Sequence, residues 1–224
     1  CQVSIKNFQV AIRKGTPDLA VALNCPYHGE YEPLKGLLDK ESRGVIIDAG
    51  GYIGTAALAF ADMFPNAIVI SIEPHQSNLE VLARNVSNNP RIRVIHGALV
   101  GKSGSPVELR RRESGEVGVT AVANPLDSVD PPVVGTAPSF TLDELGVGRD
   151  EVLAVKLDVE GSEREILSCS SERLAEVPVV VAELHDRIVA GCTEAFAAFS
   201  QYRRVLQFDG ENLYSIHSDL AGLR

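Results

Sequence analysis

The chain has 224 residues, 45% of them hydrophobic and 23% charged, which is the composition of one globular domain and argues against a disordered chain. A net charge of −9 argues against a dedicated nucleic-acid binder, which needs a basic face for phosphates. The thirteen uncharged residues from Ala49 to Ala61 are too few to cross a bilayer, so no membrane span is expected.

The chain opens on Cys1 rather than Met, so residues are expected upstream. The four cysteines, Cys1, Cys25, Cys169 and Cys192, are scattered without CxxC spacing, which fits a reducing cytoplasm. Residues 1–43 read as a small N-terminal extension. Val3–Ile5, Phe8–Ile12 and Leu19–Leu23 alternate like short strands, with a turn at Gly15-Thr16-Pro17. Glu30–Asp39 reads as a helix with Leu34, Leu37 and Leu38 on one side.

From Gly44 to the end, residues 44–224, the rhythm is strand–helix–strand. Strands are expected at Val45–Ile47, Ala67–Ile72 and Arg91–Ile95, with helices at Ile53–Phe64 and Gln76–Val86 between them. Short continuous apolar strands alternating with helices imply a parallel sheet covered on both faces. Val107–Arg111 and Gly118–Val122 suggest a hairpin, and the Pro- and Asp-rich stretch Asn124–Pro138 a loop. The alternation then resumes with strands Val152–Leu157 and Val179–Ala182 and helices within Glu163–Val177 and at Cys192–Gln201. Arg203–Phe208 and Leu213–Ile216 end the chain as a strand pair joined through Asp209-Gly210, too tightly for a parallel crossover.

The first chemical signal is VIIDAGGYIG, Val45–Gly54. Glycines after a parallel strand let backbone approach a ligand at the next helix N-terminus. Ala49, Gly51 and Gly54 nearly fit the dinucleotide pattern, with its first glycine missing. Asp48, Gly50 and Gly54 fit equally a ligand bearing an ammonium group, such as the methionine part of S-adenosylmethionine (SAM). Glu73 ends the next strand, nineteen residues after Gly54, where a carboxylate can accept from both ribose hydroxyls of NAD or SAM.

The second signal lies at two further strand ends. Lys156, Asp158 and Glu160 stand at alternate positions in AVKLDVEGSE, and VVVAELHD ends with Glu183 and His185. Ionisable groups at the C-terminal edge of a parallel sheet face the ligand crevice, and they must be paired, solvated or functional.

These blocks resemble the FkbM family of SAM-dependent methyltransferases, from about Tyr31 to about Ala198. The resemblance rests on DAGGYIG (Asp48–Gly54), IEPHQSNLEVLARN (Ile72–Asn85), HGALVGKSG (His96–Gly104), TLDEL (Thr141–Leu145) and VKLDVEGSEREIL (Val155–Leu167). The family loop usually reads DxGANxG, and here Gly51 and Tyr52 replace Ala-Asn. The resemblance implies an α/β, Rossmann-like class I methyltransferase fold: a mostly parallel seven-stranded sheet with a final antiparallel strand. It implies SAM as cofactor, with Asp48, Gly50 and Gly54 around the methionine part, Glu73 on the ribose, Gly97 and Ala98 near the adenine and Asp158 near the methyl donor. It also implies methyl transfer to a hydroxyl of a small molecule or sugar-like acceptor.

A hydroxyl acceptor benefits from a base. His185, whose imidazole titrates near neutrality, is the expected base, with Glu160 its rival. Asp158, Glu183 and His185 can supply a divalent ion with oxygens and a nitrogen, but no spacing signature supports one and no metal is expected. Arg110-Arg111-Arg112 would meet an anionic acceptor or remain solvated surface. His28, Tyr27 and Tyr31 would cover the crevice or pack locally. A nicotinamide-dependent oxidoreductase and a non-catalytic SAM or nucleotide-binding module remain as alternatives.

Overall fold

The computed structural model describes residues 1–102, 104, 106–111, 119–121, 131–208 and 210–220, with backbone alone at Pro26 and Tyr27. In chain order its elements are β1 (Gln2–Ile5), β2 (Phe8–Ala11), α1 (Asp18–Ala22), β3 (Val45–Ala49), α2 (Thr55–Met63), β4 (Ile68–Glu73), α3 (Gln76–Val86) and β5 (Ile92–His96). Then come β6 (Ala98–Leu99), β7 (Val107–Arg111), β8 (Val119–Thr120), β9 (Val133–Ala137), β10 (Ser139–Phe140), β11 (Val152–Leu157), α4 (Glu163–Cys169) and α5 (Ser171–Ala175). The last are β12 (Val179–Ala182), α6 (Cys192–Phe199), β13 (Arg204–Gln207) and β14 (Leu213–Ile216).

The central sheet has seven strands in the order β13-β14-β12-β11-β3-β4-β5. β5, β4, β3, β11 and β12 run parallel, and β14 runs antiparallel to both β12 and β13. Neighbouring residues of a strand point to opposite faces. Ile46, Ala154, Val179 and Val181 therefore join a core layer with Phe60, Phe64 and Leu82. Ile47, Val155 and Val180 join the opposite layer with Ile166, Leu167 and Leu174. Each of these Val, Ile, Leu and Phe side chains taken wholly out of water contributes roughly 1.5–3 kcal/mol. Burial on both faces is why these strands read as unbroken apolar runs. Among the described residues no helix is long and apolar enough to cross a membrane.

The N-terminal residues share the first layer, through Ile5, Val10, Ala22, Cys25, Tyr31 and Leu34. Leu19–Leu23 is not a strand. α1 starts after Pro17, and helix-forming Leu and Ala fill it. Five residues are too few to separate a period of 2 from one of 3.6. The expected helix at Glu30–Asp39 contracts to a 3-10 turn at Glu32–Gly36, opened by Pro33 and ended at glycine.

The stretch read as a loop at Asn124–Pro138 contains β9. Its Val133, Val134 and Thr136 suit a strand, and β9 pairs antiparallel with β7. β7 also pairs with β8 as a hairpin, while Gly118, Val122 and residues 124–130 lie outside the described residues. So do Arg112 and Asp209.

Candidate functional site

Two cavities open at the C-terminal edge of β3, β4 and β11. The smaller is lined by Ile72, Glu73, Asn78, Gly97, Ala98 and Leu99, with Val119 and Ala121 from the β8 region closing it. The larger, about 860 Å³, lies between the strand ends and the N-terminal residues Val21–Pro33. Gly50, Tyr52, Asp158 and Glu160 line both, so the two form one cleft with a shared waist.

Gly50 makes the waist possible. It has φ +84°, and a Cβ there would stand 1.8 Å from the carbonyl oxygen of Asp158. The backbones of two strand ends touch at this point, which only glycine allows. Gly54, expected beside the ligand, lines neither cavity. It opens α2 with φ +85°, and a Cβ would press on Leu82 and Val86 of α3. It lets α2 pack closely on α3.

Asp48 was likewise expected around the methionine part. It is 0% exposed and lines neither cavity. Register explains this: Asp48 of β3 lies directly across from Lys156 of β11, so both side chains share a face. The Lys156 ammonium stands 3.1 Å from Asp48 Oδ1 and 3.4 Å from Asp158 Oδ2, and it donates to the Gly50 carbonyl at 2.7 Å. Ser71 donates to Asp48 Oδ2 at 2.7 Å. Burial pushes the Lys156 pKa down, but Asp48 and Asp158 outweigh it and raise it above its ordinary value. Lys156 and Asp48 together tie the glycine loop down from beneath.

Glu73, Gly97, Ala98 and Asp158 do reach the cleft. Glu73 accepts from the Tyr52 and His75 backbone N–H groups at 2.9 Å each and from Asn78 Nδ2 at 3.2 Å. Burial nonetheless pushes its pKa up to about 7 against those donors. Tyr52, at φ +47°, bends the loop, and its hydroxyl donates to Asp18 at the start of α1. Arg13 also holds Asp18, from its backbone N–H and its guanidinium. Tyr52, one of the two residues by which this loop departs from the family pattern, thus joins the loop to the N-terminal segment.

His185 is not the solvent-facing imidazole expected of a base. It is 1% exposed and lines neither cavity. Its Nδ1 stands 2.8 Å from Glu163 Oε1, and Glu163 is itself fixed by the backbone N–H groups of Val159 and Gly161. Around Nε2 stand Glu183 at 3.3 Å, Glu160 at 3.7 Å and Asp158 at 3.9 Å. Burial lowers the His185 pKa, but the carboxylates of Glu163 and Glu183 override it and carry it up to about 11. With no cation beside it, such an imidazole holds its proton at neutral pH and is unsuited to act as a base.

Glu160 sits at the waist in a left-handed conformation, φ +51°, rare for a residue with a side chain and a mark of functional loops. Burial, with Asp158 and Glu183 nearby, pushes its pKa up to about 7 against the pull of His185 and Arg187. Arg110 and Arg111 line neither cavity. Arg110 turns to Glu108 and the Pro131 carbonyl.

Sequence reasoning gave no role to Glu163 and did not foresee that Tyr52 reaches the N-terminal segment. Glu163 was legible as the last glutamate of VKLDVEGSE, where an acidic residue opens α4. Tyr31 and His28 do line the larger cavity, while the Tyr27 side chain is not among the described atoms.

Residues 48–216 match the methyltransferase FkbM domain model. The chain belongs to the FkbM methyltransferase family. It is a SAM-dependent methyltransferase. A search of curated proteins found no match. Solved structures with a similar fold include a precorrin-6y C5,15-methyltransferase from Geobacter metallireducens, at 14% identity over 96% of this chain and 91% of that one, TM-score 0.45. A methyltransferase from Pyrococcus furiosus is 13% identical over 95% and 89%, TM-score 0.48. Aeropyrum pernix fibrillarin, solved with bound SAM, is 14% identical over 89% and 74%, TM-score 0.44. At such identities and scores no residue role is transferred from them.

The cleft of this FkbM chain fits the cofactor. The smaller cavity offers apolar Ile72, Leu99 and Val119 beside a buried carboxylate, as a nucleoside requires. Gly50 lets the end of β3 approach the end of β11 closely enough for both to border the two cavities.

Proposed function

We propose that the chain methylates a hydroxyl group of a small molecule, with the donor's nucleoside in the smaller cavity and the acceptor in the larger. The observation that carries this reading is the shared waist: Gly50, Tyr52, Asp158 and Glu160 border both spaces. Glu73 would accept from the ribose hydroxyls. Gly97 and Ala98 would flank the adenine. The backbone of Gly50 and Gly51 would face the methionine part, and Asp158 the sulfonium. SAM supplies an electrophilic methyl on sulfur, and the C–S electron pair leaves with that sulfur.

The chain's own work is positioning and proton removal. The hydroxyl oxygen forms the new C–O bond, and Glu160 takes its proton. Asn24, Cys25, residues 28–31 and Pro33 wall the acceptor side, held near β14 by Asn212 Nδ2, which donates to Glu30 Oε1, and by the Tyr214 hydroxyl, which donates to the Glu30 carbonyl. Residues 1–43 therefore act as part of the acceptor site.

Calorimetric titration with S-adenosylhomocysteine and NAD tests the donor half. Radiolabelled methyl transfer over a panel of hydroxylated sugars and natural products tests the rest. Glu160→Gln should lower kcat by roughly 10²–10⁴ and leave S-adenosylhomocysteine affinity nearly unchanged. Binding of NAD instead, or full turnover in Glu160→Gln, would refute the corresponding half.

A further inference from the structure

We propose that Asp158, Glu183 and His185 hold one divalent first-row cation, of the Mn²⁺ kind, beside the larger cavity. One ligand atom from each lies within 4.8 Å of the others. Around a six-coordinate ion with bonds of about 2.1 Å, adjacent ligands stand ~3 Å apart and opposite ones ~4.2 Å. Small side-chain rotations close that gap.

An independent observation points to the same place. His185 Nε2 is buried, has no hydrogen-bond partner and is aimed at the carboxylates. Its other nitrogen is already committed to Glu163, whose two oxygens accept from backbone N–H groups and from Nδ1. A histidine that ligates a metal characteristically donates its second N–H to a carboxylate in this way. Asp158 is divided likewise. Lys156 stands at Oδ2, and Oδ1 is the oxygen turned toward His185.

Charge balance agrees. Asp158, Glu160, Glu163 and Glu183 surround a single imidazole, and Lys156 is shared with Asp48. Arg187 reaches Glu160 at 3.8 Å from an exposed position. A cation of charge two offsets the surplus. Two carboxylates and one imidazole suit Mn²⁺ better than the all-oxygen shells of calcium. Asp158 and Glu183 line the larger cavity, so open coordination positions would face the acceptor and could hold and acidify its hydroxyl. That use of the ion rests on the methyltransferase reading; its binding does not.

The test uses the full chain, freed of metal by EDTA and titrated with MnCl₂ by calorimetry and electron paramagnetic resonance. One Mn²⁺ per chain is expected. Glu183→Gln and His185→Asn should abolish binding, and Glu163→Gln should weaken it roughly 10–100-fold. Circular dichroism and S-adenosylhomocysteine binding report whether each variant is folded. If His185→Asn does not fold, Glu183→Gln and Glu163→Gln still decide. A folded wild type that binds S-adenosylhomocysteine but no Mn²⁺ would overturn the site and leave His185 as a protonated clamp. So would equal binding by the folded variants. Mn²⁺ binding without S-adenosylhomocysteine binding would overturn the donor reading and leave the cation site standing.

Discussion

Glu73 shows how one side chain couples burial to binding. Its pKa is pushed up to about 7 by burial, although three N–H groups donate to it. In its proposed role only the carboxylate can accept from both ribose hydroxyls, so binding would favour deprotonation. Affinity for S-adenosylhomocysteine should therefore rise with pH up to about 7 and then level off. Glu73→Gln should bind more weakly by about 1.5–3 kcal/mol, with a flat profile. Calorimetry across this range checks both, and a flat wild-type profile would remove Glu73 from the ribose. Glu73 and Asp158 were legible in the sequence because each ends a strand beside a glycine or proline turn. Asp48 sits at a similar position yet is turned inward. Its partner Lys156 is 108 residues away in the sequence, and only the β3–β11 register brings the two together. For His185, Glu183 was visible two residues away, but Glu163 opens α4, 22 residues earlier in the chain, and only the fold brings it to Nδ1.

At the level of elements, the cleft depends on how closely the end of β3 approaches the end of β11. Gly50→Ala would place a methyl 1.8 Å from a backbone oxygen that cannot rotate away. Left-handed backbone alone costs a residue with a side chain about 1–2 kcal/mol. Gly50→Ala should cost more than that in urea denaturation and lose S-adenosylhomocysteine binding with it. Gly36→Ala is the control, because nothing lies within 4 Å of its added Cβ. Wild-type stability in Gly50→Ala would show that β11 can yield. The strands of the central sheet were readable because burial on both faces leaves unbroken runs of Val, Ile and Ala. α1 was not, since its five residues fit either period, and β9 was hidden by the Pro, Ser and Gly around it.

On the scale of the whole molecule, the larger cavity joins the two ends of the chain, and this was the least legible feature. Tyr52 meets Asp18 across 34 residues, and Asn212 meets Glu30 across 182. No local pattern encodes such pairs. In the proposed acceptor role, the charge of the joined wall selects among acceptors. Glu30, Asp158, Glu160, Glu183 and Glu211 line it, against Arg187 and a Lys156 already shared with Asp48. One bound divalent cation would still leave carboxylates in excess. Two like charges 4 Å apart at an effective dielectric near 20 repel by about 4 kcal/mol, and each 1.4 kcal/mol is a factor of about ten. A neutral polyol should therefore be methylated with kcat/KM at least roughly tenfold above its own phosphate ester, and added salt should narrow the gap. Competition assays with one sugar and its monophosphate, at low and high ionic strength, measure this directly. Equal turnover of the two would mean that the acceptor lies away from the acidic wall, on the side of Tyr52 and the small β7 sheet.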